Sequence, residues 1–457
     1  MIRIEEILAV QRRYFNSGAT LPLSARRAAL RRLLNIITAR EDAILHALQR
    51  DLGKSPMEGY LTEVSIVKGE IRTLMKNLER WARPRLVPAA LAHQPACGLV
   101  QPQPYGVVLI QSPWNYPFQL CMVPLAAALA AGNCVMARPA TDAPATARVM
   151  EKLIQDAFSP ELVCLLPPAE VGHAALLSQK YDYIFFTGSA RVGRIVMTAA
   201  AARLTPVTLE LGGKSPCIVD ETADLRLAAR RIVYGKFLNA GQTCVAPDHL
   251  LVQRRVKEPL LAELRRAITE LYGPDPINSP DLGRIVNEKH FDRLLGLLEG
   301  QRIVQGGEWD RDRLKIEPTL LDEVDFDAPV MQEEIFGPIL PILTFDRIEE
   351  VIERQQVLPT PLALYLFTRN RKNLQRVLRE IRYGGGCIND TVVHLANDRL
   401  PFGGVGESGM GAYHGRAGFA AFSHDKSVLL RPSLPDLPLR YPPYTPEGFA
   451  LVRRFLK

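Results

Sequence analysis

Apolar residues recur at intervals of three and four through the first eighty positions, as in SARRAALRRLLNIITAREDAILHALQRDLG. That spacing predicts amphipathic helices over residues 1–80, with Gly53 placed where a C-terminal cap belongs. The period lapses over 83–104, a proline-rich stretch that reads as an extended excursion from the main body. An α/β rhythm follows. The short apolar runs VVLI (107–110), CVMA (134–137), VCLL (163–166) and YIFF (183–186) alternate with helical stretches at 117–131, 143–157, 170–179 and 189–202. Strands separated by crossover-length helices predict a parallel, doubly wound sheet. A second α/β series starts near residue 207, with VTLEL, CIVD, a helix at 224–238, HLLV, a helix at 257–271, ILPILTF and ALYLF. The chain ends in a proline-rich tail that closes on a short amphipathic helix, in which Phe449, Leu451, Val452, Phe455 and Leu456 form the apolar set.

The chain has 457 residues, more than the ~250–300 at which one core stops growing, so at least two domains are expected. An apolar share of 47% and a charged share of 23% exclude a disordered or collagenous chain. The net charge of +7 is spread along predicted helices without a dense Lys/Arg block, which points away from nucleic acid. Seven cysteines (97, 121, 134, 164, 217, 244 and 387) form no CxxC pair and no Cys/His cluster. A reducing, cytoplasmic setting without a structural metal follows. The uncharged stretch from Tyr105 to Ala137 has the length of a membrane span, but Pro113, Pro117, Pro124 and Gly132-Asn133 break it into short pieces. It reads as strand, loop, buried helix and strand inside a two-sided sheet, and stable membrane insertion is not expected.

Six short segments carry candidate chemistry. In NAGQTCVAP (239–247) Cys244 follows a helical stretch and has polar and glycine neighbours. Only a thiolate attacks, so the site must lower or offset a thiol pKa of about 8.5. VTLELGGKSP sets Glu210 at a strand end before paired glycines, where a carboxylate can deprotonate a thiol and later activate water. In SPWNYPF (112–118) Asn115 sits in the loop after the strand 107–110, and its amide can donate to an oxyanion. FFTGSARVGRIV (185–196) turns at Gly188 and Ser189 into a helix start, a natural pyrophosphate site although not a GxGxxG pattern. EEIFGPILPI sets Glu334 and Phe336 before a Gly-Pro turn, suited to ribose hydroxyls and a nicotinamide face, and LPFGGVGESGMG (400–411) is a glycine-rich loop at the prospective mouth.

The order SPWNYP, FTGS, LELGGKSP, GQTC, EEIFGP, LPFGG resembles the aldehyde dehydrogenase superfamily over nearly the whole chain. The compact N-terminus, the WNYP spelling, GQTCVAPD and GMGAYHG at 409–415 look most like its class 3 branch. The resemblance implies two doubly wound α/β domains, one Rossmann-like for cofactor and one catalytic, with a small β bridging element. The boundaries it suggests are 1–82 with 105–209 for cofactor, 210–410 for catalysis, 83–104 with 411–430 for the bridge, and 431–457 for the tail. It further implies oxidation of medium- or long-chain aliphatic or aromatic aldehydes to free acids with NAD or NADP, in a homodimer. Cys244 would be the nucleophile, Asn115 with the Cys244 N–H the oxyanion hole, and Glu210 the general base. Trp114, Gly188, Ser189, Glu334 and Phe336 would contact the cofactor.

One departure stands out. The family pattern Lys-Pro-Ser/Ala-Glu after the second strand is here Arg138-Pro139-Ala140-Thr141. An acid at the last place repels a 2′-phosphate, whereas Thr141 with Arg138 tolerates one, so NADP is expected to serve at least as well as NAD. The tail resembles an end helix that lies over the substrate funnel in fatty-aldehyde members. Two other readings stay open on the residues alone: a thiol hydrolase or esterase using Cys244, Glu210 and Asn115 without cofactor, and a nucleotide-binding protein without turnover.

Overall fold

The structure is a computed structural model that describes residues 3–90, 93–434, 436 and 438–455. Five helices open the chain: α1 (Ile4–Asn16), α2 (Leu23–Ala39), α3 (Glu41–Leu52), α4 (Pro56–Gly59) and α5 (Ser65–Ala82), with a π-helical turn, Tyr60–Val64, between the last two. Gly53 ends α3 in the left-handed region at φ 66°, the capping role its position predicted. The strands β1 (Arg85–Pro88) and β2 (Cys97–Pro104) then make the extended excursion.

The first α/β series follows as β3 (Val107–Gln111), α6 (Gln119–Ala131), β4 (Cys134–Arg138), α7 (Pro144–Ala157), β5 (Val163–Leu165), α8 (His173–Leu177), β6 (Tyr183–Thr187), α9 (Ala190–Ala201) and β7 (Val207–Glu210). Only α8 is markedly shorter than its sequence pattern suggested. Every residue of α6 is buried, Pro124 included, which explains the uncharged run: a helix packed on all sides has no polar face to show. The second series comprises β8 (Pro216–Val219), α10 (Leu225–Phe237), β9 (His249–Gln253), α11 (Lys257–Tyr272), α12 (Glu288–Gly296), β10 (Arg302–Gln305), the small hairpin β11 (Trp309–Asp310) and β12 (Lys315–Ile316), β13 (Thr319–Asp322), β14 (Ile339–Phe345), β15 (Ala363–Phe367) and β16 (Gly385–Ile388). The strands β17 (Gly409–Met410) and β18 (Ser423–Leu430) come last.

Two large sheets result. The first runs β17-β7-β6-β3-β4-β5 and the second β10-β13-β14-β9-β8-β15-β16. In the first, β3 to β5 wind one way and β6 and β7 the other, so the order reverses between β3 and β6. Loops leaving the carboxyl ends of strands at such a reversal form the binding crevice of doubly wound folds. Those loops are 112–118 and 188–189. β17 joins the first sheet antiparallel to β7, pairing Gly409 with Glu210, so the glycine-rich segment 400–411 is built into the site. β1, β2 and β18 form a separate antiparallel sheet in which Lys426 pairs with Gln101.

No helix among the described residues is long and apolar enough to cross a membrane. The tail helix Pro446–Phe455 forms as expected, and Phe449 and Val452 line a cavity together with Leu439 and Tyr441 of the same tail. The side chain of Phe455 and residue Leu456 lie outside the described residues.

One capping contact ties the N-terminal helices to the first sheet. The buried Asp51 carboxylate accepts from the N–H of Ala145 at 3.0 Å, the N–H of Thr146 at 2.7 Å and the Thr146 hydroxyl at 2.7 Å. It thereby caps α7 from 94 residues away. Asp51→Ala leaves buried donors without partners and is expected to lower stability by about 2 kcal/mol, read as a fall in thermal midpoint with kcat nearly unchanged.

Candidate active site

The site lies where the carboxyl ends of β3, β6 and β7 meet the amino-terminal edge of β8, β9 and β14. Cys244 precedes β9, Glu334 precedes β14, and these strands are parallel neighbours, Leu250 pairing with Ile342. Loops from both sheets therefore converge on one junction. The Asn115 Nδ2 donates to the Gln242 carbonyl at 3.0 Å. The Tyr116 and Thr243 hydroxyls share a hydrogen bond of 2.6 Å, and the Tyr365 hydroxyl donates to the Val245 carbonyl at 2.6 Å. The residues either side of Cys244 are thus each held by a side chain.

The turn before Cys244 is strained. Asn239 and Ala240 adopt φ of 53° and 52°, and Gly241 follows at φ 75°. A Cβ on Gly241 would stand 2.2 Å from the Gly337 carbonyl oxygen, so only glycine lets the cysteine loop and the Glu334 loop touch. Gln242, fully buried, organises the turn: its Nε2 donates to the carbonyls of Asn239 and Arg284, both at 3.0 Å, and its Oε1 accepts from the Val286 N–H at 3.0 Å. Asn239 Nδ2 donates to the carbonyls of Asn115 at 2.8 Å and Gln242 at 3.1 Å.

Glu210 is buried at the end of β7, and neither carboxyl oxygen has a hydrogen-bond partner. Burial pushes its pKa well above the usual carboxylate range, which favours its protonated form. The Cys244 thiol is pushed up as well, first by burial and then by the charges of Glu334 and Glu210, while the N–H groups of Cys244 and Val245 act in the opposite direction. The lowered thiol pKa that sequence alone leaves possible is not what the fold provides: two carboxyl groups and no cation face this sulfur. The thiol must hand its proton to a neighbouring base as it attacks.

Cys244 lines a funnel whose enclosed space is about 100 Å³. Leu61, Ile66, Leu120, Val393 and Phe402 line it, together with Tyr116, Thr243, Tyr413 and His414. Among the described residues, none beyond His414 contributes to the lining. The surface is apolar apart from a few hydroxyl, amide and imidazole groups.

On the opposite side lies the prospective cofactor crevice. Trp114 meets Phe336 edge to face, centroids 5.4 Å apart, and His290 of α12 stacks obliquely on the same indole at 5.1 Å. Phe336 is held at φ 50°, an unusual value for an aromatic residue that fixes the ring's direction. The Glu334 carboxyl lies so close to Gly212 that a Cβ there would come 2.1 Å from Oε2. Burial first, then the charge of Asp248, raises Glu334 to about 8. Ser189 caps α9, its Oγ accepting from the Val192 N–H at 3.4 Å, and the Gly188 N–H donates to the Glu210 carbonyl at 3.0 Å. A carboxyl for hydroxyl groups, an aromatic face and a helix start with unpaired N–H groups are what a dinucleotide requires, so the residues fit one.

Arg138 and Thr141 stand apart from this group. Arg138 is buried, donating from Nε to the Val171 carbonyl at 2.8 Å, from Nη2 to the Pro168 carbonyl at 3.0 Å, and meeting His173 Nε2 at 3.2 Å. Its guanidinium is therefore spent on the loop before α8. Thr141 is exposed and donates to Asp142 at 3.3 Å.

The chain belongs to the aldehyde dehydrogenase family, whose model matches residues 3–428. Its order of motifs and its paired sheets are those of that family. The 4,4′-diaponeurosporen-aldehyde dehydrogenase of Staphylococcus aureus is 45% identical over 99% of both chains. Human aldehyde dehydrogenase family 3 member B1 is 46% identical over 96% of this chain and 95% of its own. A solved substrate-bound state of Staphylococcus aureus AldH superposes with a TM-score of 0.97 at 45% identity, covering 100% of each chain. More distant solved structures include one described as an NADP-dependent enzyme and one complexed with NAD+. The chain is an NAD(P)-dependent oxidoreductase acting on aldehydes.

Sequence reasoning passed over the groups that hold the loops. Lys214 and Asp248 both lie inside the recognised motifs, yet only the fold pairs them. Lys214 Nζ contacts Asp248 Oδ1 and donates to the carbonyls of Val330 at 3.1 Å and Glu333 at 2.9 Å, while Asp248 Oδ2 accepts from the Ile335 N–H at 2.9 Å. Asp248 is held well below the usual carboxylate range, Lys214 being the strongest cause acting against its burial. This pair pins the loop that carries Glu334 and Phe336. Lys214→Met strands a buried carboxylate and is expected to weaken cofactor binding, raising cofactor KM about 10-fold or more with aldehyde KM little changed, measured by steady-state kinetics; Lys214→Met with Asp248→Asn should recover stability but not cofactor KM.

Proposed function

We propose that the enzyme oxidises apolar aldehydes, medium- or long-chain aliphatic or aromatic, to free acids through a thioester on Cys244. The observation that carries this reading is an apolar funnel lined by a half-buried thiol, with a buried carboxyl group nearby that has no hydrogen-bond partner. Cys244 attacks the aldehyde carbon as its proton passes to Glu210 in its carboxylate form, which must release that proton before it can act on water. The second Nδ2 hydrogen of Asn115, with the Cys244 N–H, stabilises the oxyanion of the thiohemiacetal. Such donors contribute ~3–4 kcal/mol in the transition state. Glu334 and the Trp114–Phe336 pair would hold the cofactor's ribose and nicotinamide, and Gly188 and Ser189 its phosphates. When bound, the cofactor accepts the hydride. Glu210, once deprotonated, draws a proton from water that cleaves the thioester. Its isolation in an apolar pocket makes it a stronger base than a solvated carboxylate.

The first large sheet with the N-terminal helices serves as the cofactor domain, the second as the catalytic domain, and the β1–β2–β18 sheet as the bridge. β18 is exposed along nearly its whole length, with Leu429 and Leu430 open, which favours a homodimer formed over that sheet. All seven cysteines are free, in keeping with a cytoplasmic setting. NADP is read as serving at least as well as NAD on the strength of the missing acid at 141. Because Arg138 is turned inward, the gain is loss of repulsion rather than a new grip.

Cys244→Ala is expected to fold and give no aldehyde-dependent absorbance at about 340 nm; growth at the parent's rate would refute the reading. Glu210→Gln should lower kcat about 10²–10⁴-fold and accumulate the acyl group on Cys244, detected as a mass increase. Since Glu210 acts only after losing its proton, and burial raises its pKa, parental kcat should rise with pH and fall as acid is added, a limb that Glu210→Gln lacks. For the cofactor, kcat/KM with NADP is expected to equal or exceed that with NAD; a strong NAD preference would remove the argument from Thr141.

A further inference from the structure

We propose that the buried Lys54–Glu63 pair is a positioning device for Asn115, setting the oxyanion donor from outside the motifs. Both side chains are fully buried, and Lys54 Nζ lies 2.5 Å from Glu63 Oε1. Lys54 also donates to the Asn115 carbonyl at 3.2 Å and stands 3.9 Å from the centre of the Tyr116 ring. The other oxygen of Glu63 accepts from the N–H groups of Phe118 at 2.8 Å and Gln119 at 3.1 Å. One ion pair thus grips the loop 115–119 at both ends: a carbonyl at its start and two N–H groups where α6 begins.

The backbone is shaped for this. Tyr60–Val64 is a π-helical turn, closed by the Ser65 N–H on the Tyr60 carbonyl. A single π-turn inserts one residue and shifts the phase of the helix across it, a device frequent at functional sites. Here Glu63 faces the loop while Leu61 and Thr62 line the funnel. Just before it, Glu58 accepts the Asn239 N–H at 2.9 Å, and Asn239 in turn donates to the Asn115 carbonyl. The segment 54–63 therefore contacts the oxyanion loop, the turn before Cys244 and the substrate wall.

A charged pair in so dry a place is poor value for stability alone, since a matched apolar pair of the same volume is often as stable or more so. Its geometry is better explained by orientation. An ammonium and a carboxylate each offer several directional bonds, and apart from their mutual contact the hydrogen bonds here go to the backbone of one loop. Without that grip, Asn115 would keep its bond to Gln242 but lose the fixed approach of its free amide hydrogen, and oxyanion stabilisation depends on that placement.

The proposal rests on Asn115 being the oxyanion donor, and the test separates the two. Steady-state kinetics with octanal and NADP would be run on Glu63→Gln, Asn115→Ala and the double variant. Glu63→Gln is expected to lower kcat about 10–100-fold with cofactor KM nearly unchanged, and the double variant to be no slower than Asn115→Ala alone, since both losses pass through one donor. Lys54→Arg, which keeps the charge and the donors, should retain most of the rate. If Glu63→Gln loses the same factor in the Asn115→Ala background, the pair is merely structural and the proposal fails. It also fails if Asn115→Ala is slow and Glu63→Gln is not. If Asn115→Ala itself runs at the parental rate, the oxyanion reading falls and this proposal with it. Should Glu63→Gln not fold, Lys54→Met with Glu63→Leu leaves no stranded charge and carries the same cycle.

Discussion

The site depends on satisfying the backbone of loops that have no regular structure. Residues 112–118 and 239–247 are mostly buried and 330–337 are buried in part, yet few of their N–H and C=O groups can find partners in a helix or sheet ladder. An unpaired polar group there costs about 1–3 kcal/mol. Side chains supply the missing partners: Lys54 and Glu63 for the first loop, Gln242 and Asn239 for the second, Lys214 and Asp248 for the third. Three loops that would otherwise be soft become fixed mounts for Asn115, Cys244 and Glu334.

This arrangement also explains why the site forms between sheets rather than on one. The carboxyl ends of the first sheet present Asn115, Gly188 and Glu210, and the amino-terminal edge of the second presents Cys244 and Glu334. Gly241 and Gly212 let the facing loops come within contact distance. The thiol is then open to an apolar funnel on one side, with the Trp114–Phe336 pair on the other.

Electrostatically the resting site avoids charge at its centre. Cys244 and Glu210 both have raised pKa values, for the same reason: burial without a neighbouring cation. Cations are present nearby but are committed to the loops, Lys54 to Glu63 and Lys214 to Asp248. Burial favours the uncharged form of both groups while no substrate is bound. Charge develops only as the sulfur attacks, where the donors are already in place. The same economy puts Arg138 under the loop before α8, where its donors are used up.

The periodicity of the chain by itself determined the α/β architecture, because strand and helix spacing are local properties; α6 was legible even through its missing polar face, by its flanking breaks. The short motifs determined which atoms do chemistry, since Cys244, Glu210, Asn115, Glu334 and Phe336 each sit in a run whose glycines and prolines betray close backbone approach. Tertiary structure alone decided the environment of those atoms. That the thiol is raised rather than lowered follows from which groups face it across the junction, and that Arg138 turns inward follows from carbonyls thirty residues on. Lys54 and Glu63 carried no signal at all: two charged residues nine apart on an N-terminal helical stretch look like solvated surface until the fold buries them against a loop some sixty residues away.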